Sequence, residues 1–280
     1  MTPTVTLPDG RAVPALGQGT WYLGETPSRR AEELAALRVG LDLGLTLIDT
    51  AEMYGEGAAE TLVGEAVRGR RDEAVLVSKV YPWNADARGT VEACRASLRR
   101  LGTDRLDLYL LHWRGGVPLA ETARALDALV QAGDVLGWGV SNLDAADLRE
   151  LDGATNGLGS SCQADQVLYN LARRGPEHDL LPLLRTRGVA TMAYSPVEQG
   201  RLLGHPALRE VARRHGATPA QVALAWVLAG EGTIAIPRSG SAAHVRENAA
   251  ARDLRLDADD LADLDRAFPP PSGPVPLEML

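Results

Sequence analysis

Eight short apolar runs recur along the 280-residue chain, and stretches with helical periodicity separate them. Each run has the length and the apolar or β-branched character of a buried strand. The intervening stretches repeat apolar residues every three or four positions, which is typical of helices that pack one face on a sheet. The predicted strands are Leu16–Gly19, Leu45–Ile48, Ala74–Lys79, Leu106–Leu111, Val135–Val140, Ser161–Gln166, Val189–Ala193 and Thr233–Ile236. Predicted helices include Arg29–Asp42, Thr90–Leu101, Leu119–Gln131, Ala145–Leu151 and Ala242–Ala251.

This alternation predicts an α/β protein, and eight units match the (β/α)8 TIM barrel, whose usual length is about 250 residues. The rival is a doubly wound open sheet, which would place a GxGxxG turn after its first strand. Here Gly17-Gln18-Gly19 is followed by Thr20-Trp21-Tyr22, which does not match that motif, so the open sheet is the less favoured fold. We find no linker, so residues 1–280 are expected to form a single barrel domain.

Two flanking segments complete the predicted architecture. An N-terminal β-hairpin is expected over Val5–Val13, around the turn residues Pro8-Asp9-Gly10. Five prolines fall within residues 269–276, so the C-terminal tail is expected to be extended, and either disordered or laid over the barrel mouth.

Charge and composition narrow the function classes. The net charge of −8 argues against nucleic acid or a membrane surface as partner. We expect a cytoplasmic protein, because no apolar run approaches the ~20 residues of a membrane span and the first residues do not resemble a signal peptide. We also expect the barrel to be a monomer. The two cysteines, Cys94 and Cys162, have no metal-ligand spacing, so we predict buried free thiols and no metal site.

Lys79 is the only lysine, because the chain has 29 Lys+Arg and the other 28 are arginine. It ends the apolar run that begins at Ala74, where an unpartnered charge would be costly. In a TIM barrel, functional residues gather where strands end. Asp49, Tyr54 and His112 follow the ends of the neighbouring strands, so we expect them to meet Lys79.

Three segments at these strand ends resemble the active-site segments of the aldo-keto reductases: Leu47–Gly55, Val77–Val80 and Leu110–Trp113. The resemblance continues in order through Gly139–Asn142, Gln166, Tyr194-Ser195 and Ile236–Ser239, and so covers nearly the whole chain. Within the family the chain is most similar to a bacterial branch that includes methylglyoxal reductases. The resemblance implies an enzyme that reduces small aldehydes, ketones or 2-oxoaldehydes with NADPH.

The resemblance further implies a catalytic tetrad of Asp49, Tyr54, Lys79 and His112. Tyr54 would donate the proton to the substrate oxygen as negative charge develops there. The ammonium of Lys79 would lower the pKa of Tyr54 and would itself be held charged by Asp49. His112 would hydrogen-bond and position the substrate carbonyl.

For NADP(H), the resemblance implies a nicotinamide stacked on Tyr194, with its carboxamide held by Ser141, Asn142 and Gln166. Arg238 and Ser239 would bind the 2′-phosphate, beside a helix capped by Ser241. His244 stands where the family often has arginine, so relaxed use of NAD(H) is possible. The other residues expected to bind cofactor are Gly19, Thr20, Trp21, Asp49, Ser195, Glu247 and Asn248.

Apolar and aromatic residues just after the predicted strands suggest a wall for an uncharged carbonyl substrate. Two other functions stay open. Lys79 could form a Schiff base, as in barrel aldolases. The family fold also serves as a nicotinamide-binding regulatory subunit of potassium channels. The residues expected to bind substrate are Trp21, Tyr22, Met53, Tyr54, Trp83, His112 and Trp113.

Overall fold

The computed structural model describes residues 3–155 and 157–280, and its core is a barrel of eight parallel strands in chain order. Backbone bridges from Leu16 to Ala235 and from Gly19 to Arg238 join the last strand to the first. The predicted (β/α)8 fold is therefore confirmed. The barrel strands are β3 (Gln18–Gly19), β4 (Leu47–Asp49), β5 (Val75–Val80), β6 (Leu108–Leu111), β7 (Trp138–Ser141), β8 (Cys162–Leu168), β9 (Ala190–Tyr194) and β10 (Thr233–Ile236).

Helices surround the sheet and bury their apolar faces against its outer side. Leu37, Leu62 and Leu126 belong to this outer core, together with outward-facing strand residues such as Leu76. The burial of such side chains is the main stabilising contribution. The helices are α1 (Arg30–Asp42), α2 (Ala58–Ala66), α3 (Ala87–Leu101), α4 (Leu119–Ala132), α5 (Ala145–Ala154), α6 (Leu180–Arg187), α7 (Pro206–Arg214), α8 (Pro219–Leu228), α9 (Ala242–Ala250) and α10 (Ala258–Ala267).

The predicted hairpin closes the amino-terminal end of the barrel. Its strands, β1 (Thr4–Thr6) and β2 (Ala12–Pro14), pair in antiparallel register with Val5 opposite Val13. Both valines pack into the barrel interior against residues such as Leu47 of β4. This plug leaves the carboxyl ends of the strands as the open end, where TIM-barrel sites are found.

The proline-rich tail crosses the open end, which was one of the two predicted outcomes. Leu277 packs against the core, and the carboxylate of Glu278 pairs with Arg173 at 2.6 Å. Met279 and Leu280 reach the wall of the large cavity in the barrel mouth. The tail therefore forms part of the boundary of the site.

Both cysteines are buried free thiols, as predicted, and burial raises the pKa of each to about 12. Among the described residues, no helix has the length and apolar character needed to cross a membrane. The same residues contain no group of three or more His, Cys, Asp or Glu side chains placed to hold a metal ion.

Asp165 of β8 is a fully buried carboxyl that the sequence reading did not single out. No described side chain donates a hydrogen bond to it. Burial raises its pKa well above the ordinary value, although the Leu143 amide favours the charged form. The folded protein therefore keeps a proton on Asp165 that the unfolded chain releases at lower pH, so this residue reduces stability as pH rises above its ordinary pKa.

Asp165→Asn is accordingly expected to raise the free energy of unfolding at pH 7 by about 1–3 kcal/mol, because the wild-type carboxyl must take up a proton on folding and the amide need not. The gain should be smaller at pH 4, where the unfolded wild-type chain is also partly protonated at this position. Urea unfolding of both proteins at the two pH values measures the difference. A variant that is less stable than wild type at pH 7 would show that Asp165 is charged and compensated.

Candidate active site

The four residues of the predicted tetrad meet at the carboxyl ends of β4, β5 and β6. Lys79 lies at the centre with no exposed surface. Its Nζ donates to Asp49 Oδ2 at 2.9 Å, to the Thr50 carbonyl at 2.9 Å and to the Tyr54 hydroxyl at 3.1 Å. The ring of His112 stands edge-on to that of Tyr54, with centroids 5.8 Å apart. The predicted grouping is thus present in the structure.

Asp49 is buried and holds the lysine from the end of β4. Its Oδ1 lies 2.8 Å from Lys79 Nζ and also accepts a hydrogen bond from Gln166 Nε2 at 2.7 Å. Gln166 was predicted to bind the cofactor carboxamide, but its amide nitrogen is engaged with Asp49. The buried carboxylate therefore has two donors, as a charge removed from water requires.

The predicted direction of the Tyr54 pKa shift is wrong. Burial, followed by the Asp49 carboxylate, raises the pKa of the Tyr54 phenol well above its ordinary value. Burial also lowers the pKa of Lys79, while the Asp49 carboxylate opposes that shift and favours the ammonium. Tyr54 consequently holds its proton across the ordinary pH range.

His112 lines the cavity as a neutral imidazole. Burial, followed by the Lys79 charge, lowers its pKa to about 2. Its Nδ1 is buried and has no hydrogen-bond partner among the described residues. A neutral imidazole offers one N–H donor and one acceptor nitrogen, so His112 can bind a carbonyl oxygen without adding charge.

A cavity of about 750 Å³ opens above the tetrad, and most of the predicted site residues line it. Lys79 lies below the surface of this cavity, and Trp83, Ser239, Glu247 and Asn248 are outside its wall. The lining residues that were predicted are Gly19, Thr20, Trp21, Tyr22, Asp49, Met53, Tyr54, His112, Trp113, Ser141, Asn142, Gln166, Tyr194, Ser195, Arg238 and His244. Further lining residues are Pro196, Val197, Gln199, Gly200, Ile236, Met279 and Leu280.

Hydrogen bonds fix the polar side of this cavity. Asn142 donates to the His112 carbonyl at 3.1 Å and to Ser141 Oγ at 3.0 Å, while its Oδ1 accepts from the Tyr194 hydroxyl at 3.0 Å. Asn142 and Ser195 have φ values of 57° and 48°. Positive φ at residues other than glycine is strained and often marks functional sites.

Trp83 does not form part of the predicted substrate wall. Its side chain is 64% exposed and stacks on Tyr81, with ring centroids 4.2 Å apart. Tyr81 also stands edge-on to Trp113, so Trp83 supports the wall from behind. Glu52, in the loop after β4, accepts a hydrogen bond from the Tyr81 amide at 2.8 Å and so joins the loops after β4 and β5.

At the other end of the cavity, only some of the residues predicted to bind the 2′-phosphate and the adenosine of the cofactor lie on the cavity wall. Arg238 and His244 line the cavity, but Glu247 turns away and accepts from Thr218 Oγ1 at 2.5 Å. Ser241 stands at the N-cap of α9 without the predicted side-chain cap. Its amide instead donates to Ser239 Oγ at 3.1 Å.

The loop after β9 contains a buried carboxylate that sequence reasoning also missed. Burial alone would raise the pKa of Glu198, but hydrogen bonds from Arg173, Asn170 and Arg201 bring it below the ordinary value. Arg173 binds Glu198 at 2.9 Å and Glu278 of the tail at 2.6 Å. One guanidinium therefore joins two segments that border the cavity.

A TIM barrel with Tyr, Lys, Asp and His side chains grouped at its open end is what the predicted resemblance to the aldo-keto reductases implies, and comparisons with known proteins place the chain among these oxidoreductases. The sequence model of the Aldo/keto reductase family matches residues 15–268. The chain belongs to this family, and the predicted resemblance is confirmed.

Individual relatives match along the full length. The chain is 51% identical to methylglyoxal reductase YeaE of Escherichia coli K12 over 274 residues, covering 96% of each chain. Two solved structures from Klebsiella pneumoniae cover 100% of both chains. One is an aldo-keto reductase in complex with NADPH, with a TM-score of 0.97 and 50% identity. The other is an aldo/keto reductase in complex with NADP and acetate, with a TM-score of 0.95 and 49% identity.

Proposed function

We propose that this protein reduces small uncharged aldehydes, ketones or 2-oxoaldehydes such as methylglyoxal to alcohols with NADPH. The observation that carries the proposal is that Tyr54 lines the cavity while its hydroxyl lies 3.1 Å from the buried Lys79 ammonium. The methylglyoxal reductase relative and the NADPH-bound structure of a relative support the substrate class and the cofactor.

The cavity suits a dinucleotide by its shape and its polar groups. Tyr194 presents a half-buried aromatic ring, and the neighbouring Ser141 and Asn142 supply amide and hydroxyl groups. At the far end Arg238 offers a cation to a phosphate. NADPH supplies the hydride when it is bound there, and the protein supplies orientation and the proton.

Proton transfer is the task of the tetrad. As hydride adds to the carbonyl carbon, negative charge develops on the oxygen, and Tyr54 donates its proton to that oxygen. The Lys79 ammonium then stabilises the phenolate, and Asp49 keeps the ammonium oriented. Neutral His112 hydrogen-bonds the same oxygen and fixes its position.

The substrate end of the cavity favours an uncharged carbonyl. Trp21 and Tyr22 stack with centroids 4.5 Å apart, and Met53, Trp113 and Met279 add apolar surface. Arg238 is the only arginine on the described wall of this cavity, and we assign it to the cofactor phosphate. A carboxylate substrate would therefore lack a cation, whereas an aldehyde or ketone needs none.

The Schiff-base alternative is disfavoured by the position of Lys79. A nucleophilic amine must be neutral and must reach the substrate carbon. The Lys79 amine is fully buried, donates three hydrogen bonds and lies behind the tyrosine hydroxyl.

We expect the purified protein to oxidise NADPH when methylglyoxal or small aromatic aldehydes are added, with a lower kcat/KM for NADH. Following the absorbance of NADPH and of NADH in parallel, with and without substrate, measures the kcat/KM for each cofactor. Turnover with neither cofactor would contradict the proposal. Tight NADPH binding without turnover would favour a regulatory subunit, and a reductively trapped adduct on Lys79 would favour the Schiff-base lyase.

A further inference from the structure

Gly240 lies in the loop between β10 and α9, and it is buried by a side chain from a distant part of the chain. A Cβ atom at Gly240 would lie 3.2 Å from Arg29 Nη2, 3.1 Å from Glu33 Cγ and 3.3 Å from Leu23 Cδ2. Arg29 is the N-cap residue of α1. Its guanidinium therefore occupies the space next to the Arg238–Ser241 loop that any side chain at position 240 would need.

The charge of Arg29 is only weakly engaged within the described residues. Its Nε lies 3.8 Å from Glu33 Oε1, and its side chain keeps 48% of its surface exposed. Glu33 is buried, and its other oxygen accepts a hydrogen bond from the Gly24 amide at 2.9 Å. Among the hydrogen bonds of these residues, none uses an Arg29 guanidinium nitrogen as donor, so its planar face and Nη atoms are available for an anion.

The Arg238–Ser241 loop, which is expected to bind the 2′-phosphate of NADPH, contains a single arginine. Arg238 is exposed there, but the neighbouring basic side chain on the cavity wall is His244, which lacks the planar guanidinium that pairs with phosphate oxygens. A phosphate monoester carries up to two negative charges, and a planar guanidinium binds its oxygens in a bidentate manner. A second arginine beside Gly240 would supply the guanidinium that His244 lacks.

We propose that Arg29 binds the 2′-phosphate of NADPH together with Arg238, and so determines the preference for NADPH over NADH. This inference rests on the proposed use of NADPH. Gly240 is needed for this contact, because its lack of a Cβ lets the Arg29 guanidinium approach the loop backbone. The cation thus comes from α1, more than two hundred residues before Arg238 in the chain.

The test measures binding rather than turnover. Quenching of tryptophan fluorescence, with Trp21 on the cavity wall, gives Kd for NADPH and for NADH. Arg29→Leu is expected to raise the Kd for NADPH about 10-fold, as the loss of a charge-assisted hydrogen bond predicts. The Kd for NADH should stay within about twofold, because NADH lacks the phosphate. Raising the salt concentration should weaken NADPH binding less in the variant than in wild type.

Arg30→Leu is the matched control, because Arg30 is the next residue and pairs with Glu65 at 2.7 Å, away from the loop. It should leave both Kd values unchanged. Gly240→Ala is a second variant, since its Cβ would push the Arg29 guanidinium outward, and it should weaken NADPH binding in the same selective way.

An unchanged Kd for NADPH in Arg29→Leu, or equal weakening of NADPH and NADH, would overturn the assignment of Arg29. If wild type binds both cofactors equally tightly, recognition of the 2′-phosphate is absent and the Arg29 proposal is wrong, while the proposed reductase activity remains. If wild type binds neither cofactor, the proposed function itself is wrong.

Discussion

Replacement of Tyr54 by phenylalanine is expected to lower kcat for methylglyoxal reduction by about 10²- to 10⁴-fold, the usual contribution of a positioned proton donor. The ring of phenylalanine fills the same space, so the edge-on contact with His112 is retained. What is lost is the hydroxyl 3.1 Å from Lys79 Nζ. The Kd for NADPH should stay within about twofold, because binding does not depend on this proton.

Steady-state kinetics and fluorescence titration of the same preparation separate these effects. Tyr194→Phe is the matched control, because it also removes a phenol from the cavity wall, one that donates to Asn142 Oδ1 at 3.0 Å and accepts from the Leu280 amide. That variant should change the KM for NADPH more than kcat. If Tyr54→Phe kept wild-type kcat, or lost NADPH binding together with activity, Tyr54 would not be the proton donor.

Lys79→Met is expected to abolish reduction and to lower the free energy of unfolding by about 3–5 kcal/mol. The activity falls because the phenolate of Tyr54 would form without a neighbouring cation. The stability falls because the Asp49 carboxylate stays buried without the ammonium that lies 2.8 Å from it. Urea denaturation and NADPH-dependent turnover measure the two losses separately.

A second substitution distinguishes structural from chemical loss. Lys79→Met combined with Asp49→Asn removes the unpaired charge and keeps a side chain that can hydrogen-bond Gln166, so stability should recover in part while activity stays absent. Arg71→Met is the control at the opposite end of β5, where Arg71 pairs with Asp107 at 2.8 Å. It should lower stability without affecting kcat. Recovery of turnover in the double variant would contradict the role of Lys79.

The sequence predicted the barrel well because each strand is a local apolar run whose end can be read directly. The predicted strand Thr233–Ile236 matches the structure at both ends. The observed strand Leu47–Asp49 begins two residues later and ends one residue later than the predicted Leu45–Ile48. The grouping of the four tetrad residues followed from the same strand ends, and their roles followed from the family resemblance. These features depend on neighbouring residues, which is the information that periodicity carries.

The errors concern side chains whose partners are distant in the sequence. Glu247 was assigned to adenosine but binds Thr218 on another helix, and Trp83 turns outward to stack on Tyr81. The pKa of Tyr54 was predicted in the wrong direction because the extent of its burial cannot be read from a sequence. Glu198 escaped notice for the same reason, since its partner Arg173 comes from another βα unit.

Because Lys79 is the only lysine and is buried, its chemical labelling can detect opening of the barrel. Reagents that acylate primary amines find no other lysine side chain, and the amine of Lys79 has no exposed surface in the folded state. Acylation of Lys79 therefore requires the strands around it to separate far enough to admit the reagent. Because acylation is slow relative to reclosing, the labelling rate, read at one position by mass spectrometry, gives the equilibrium fraction of molecules that are open at the active-site end of the barrel, without any engineered probe.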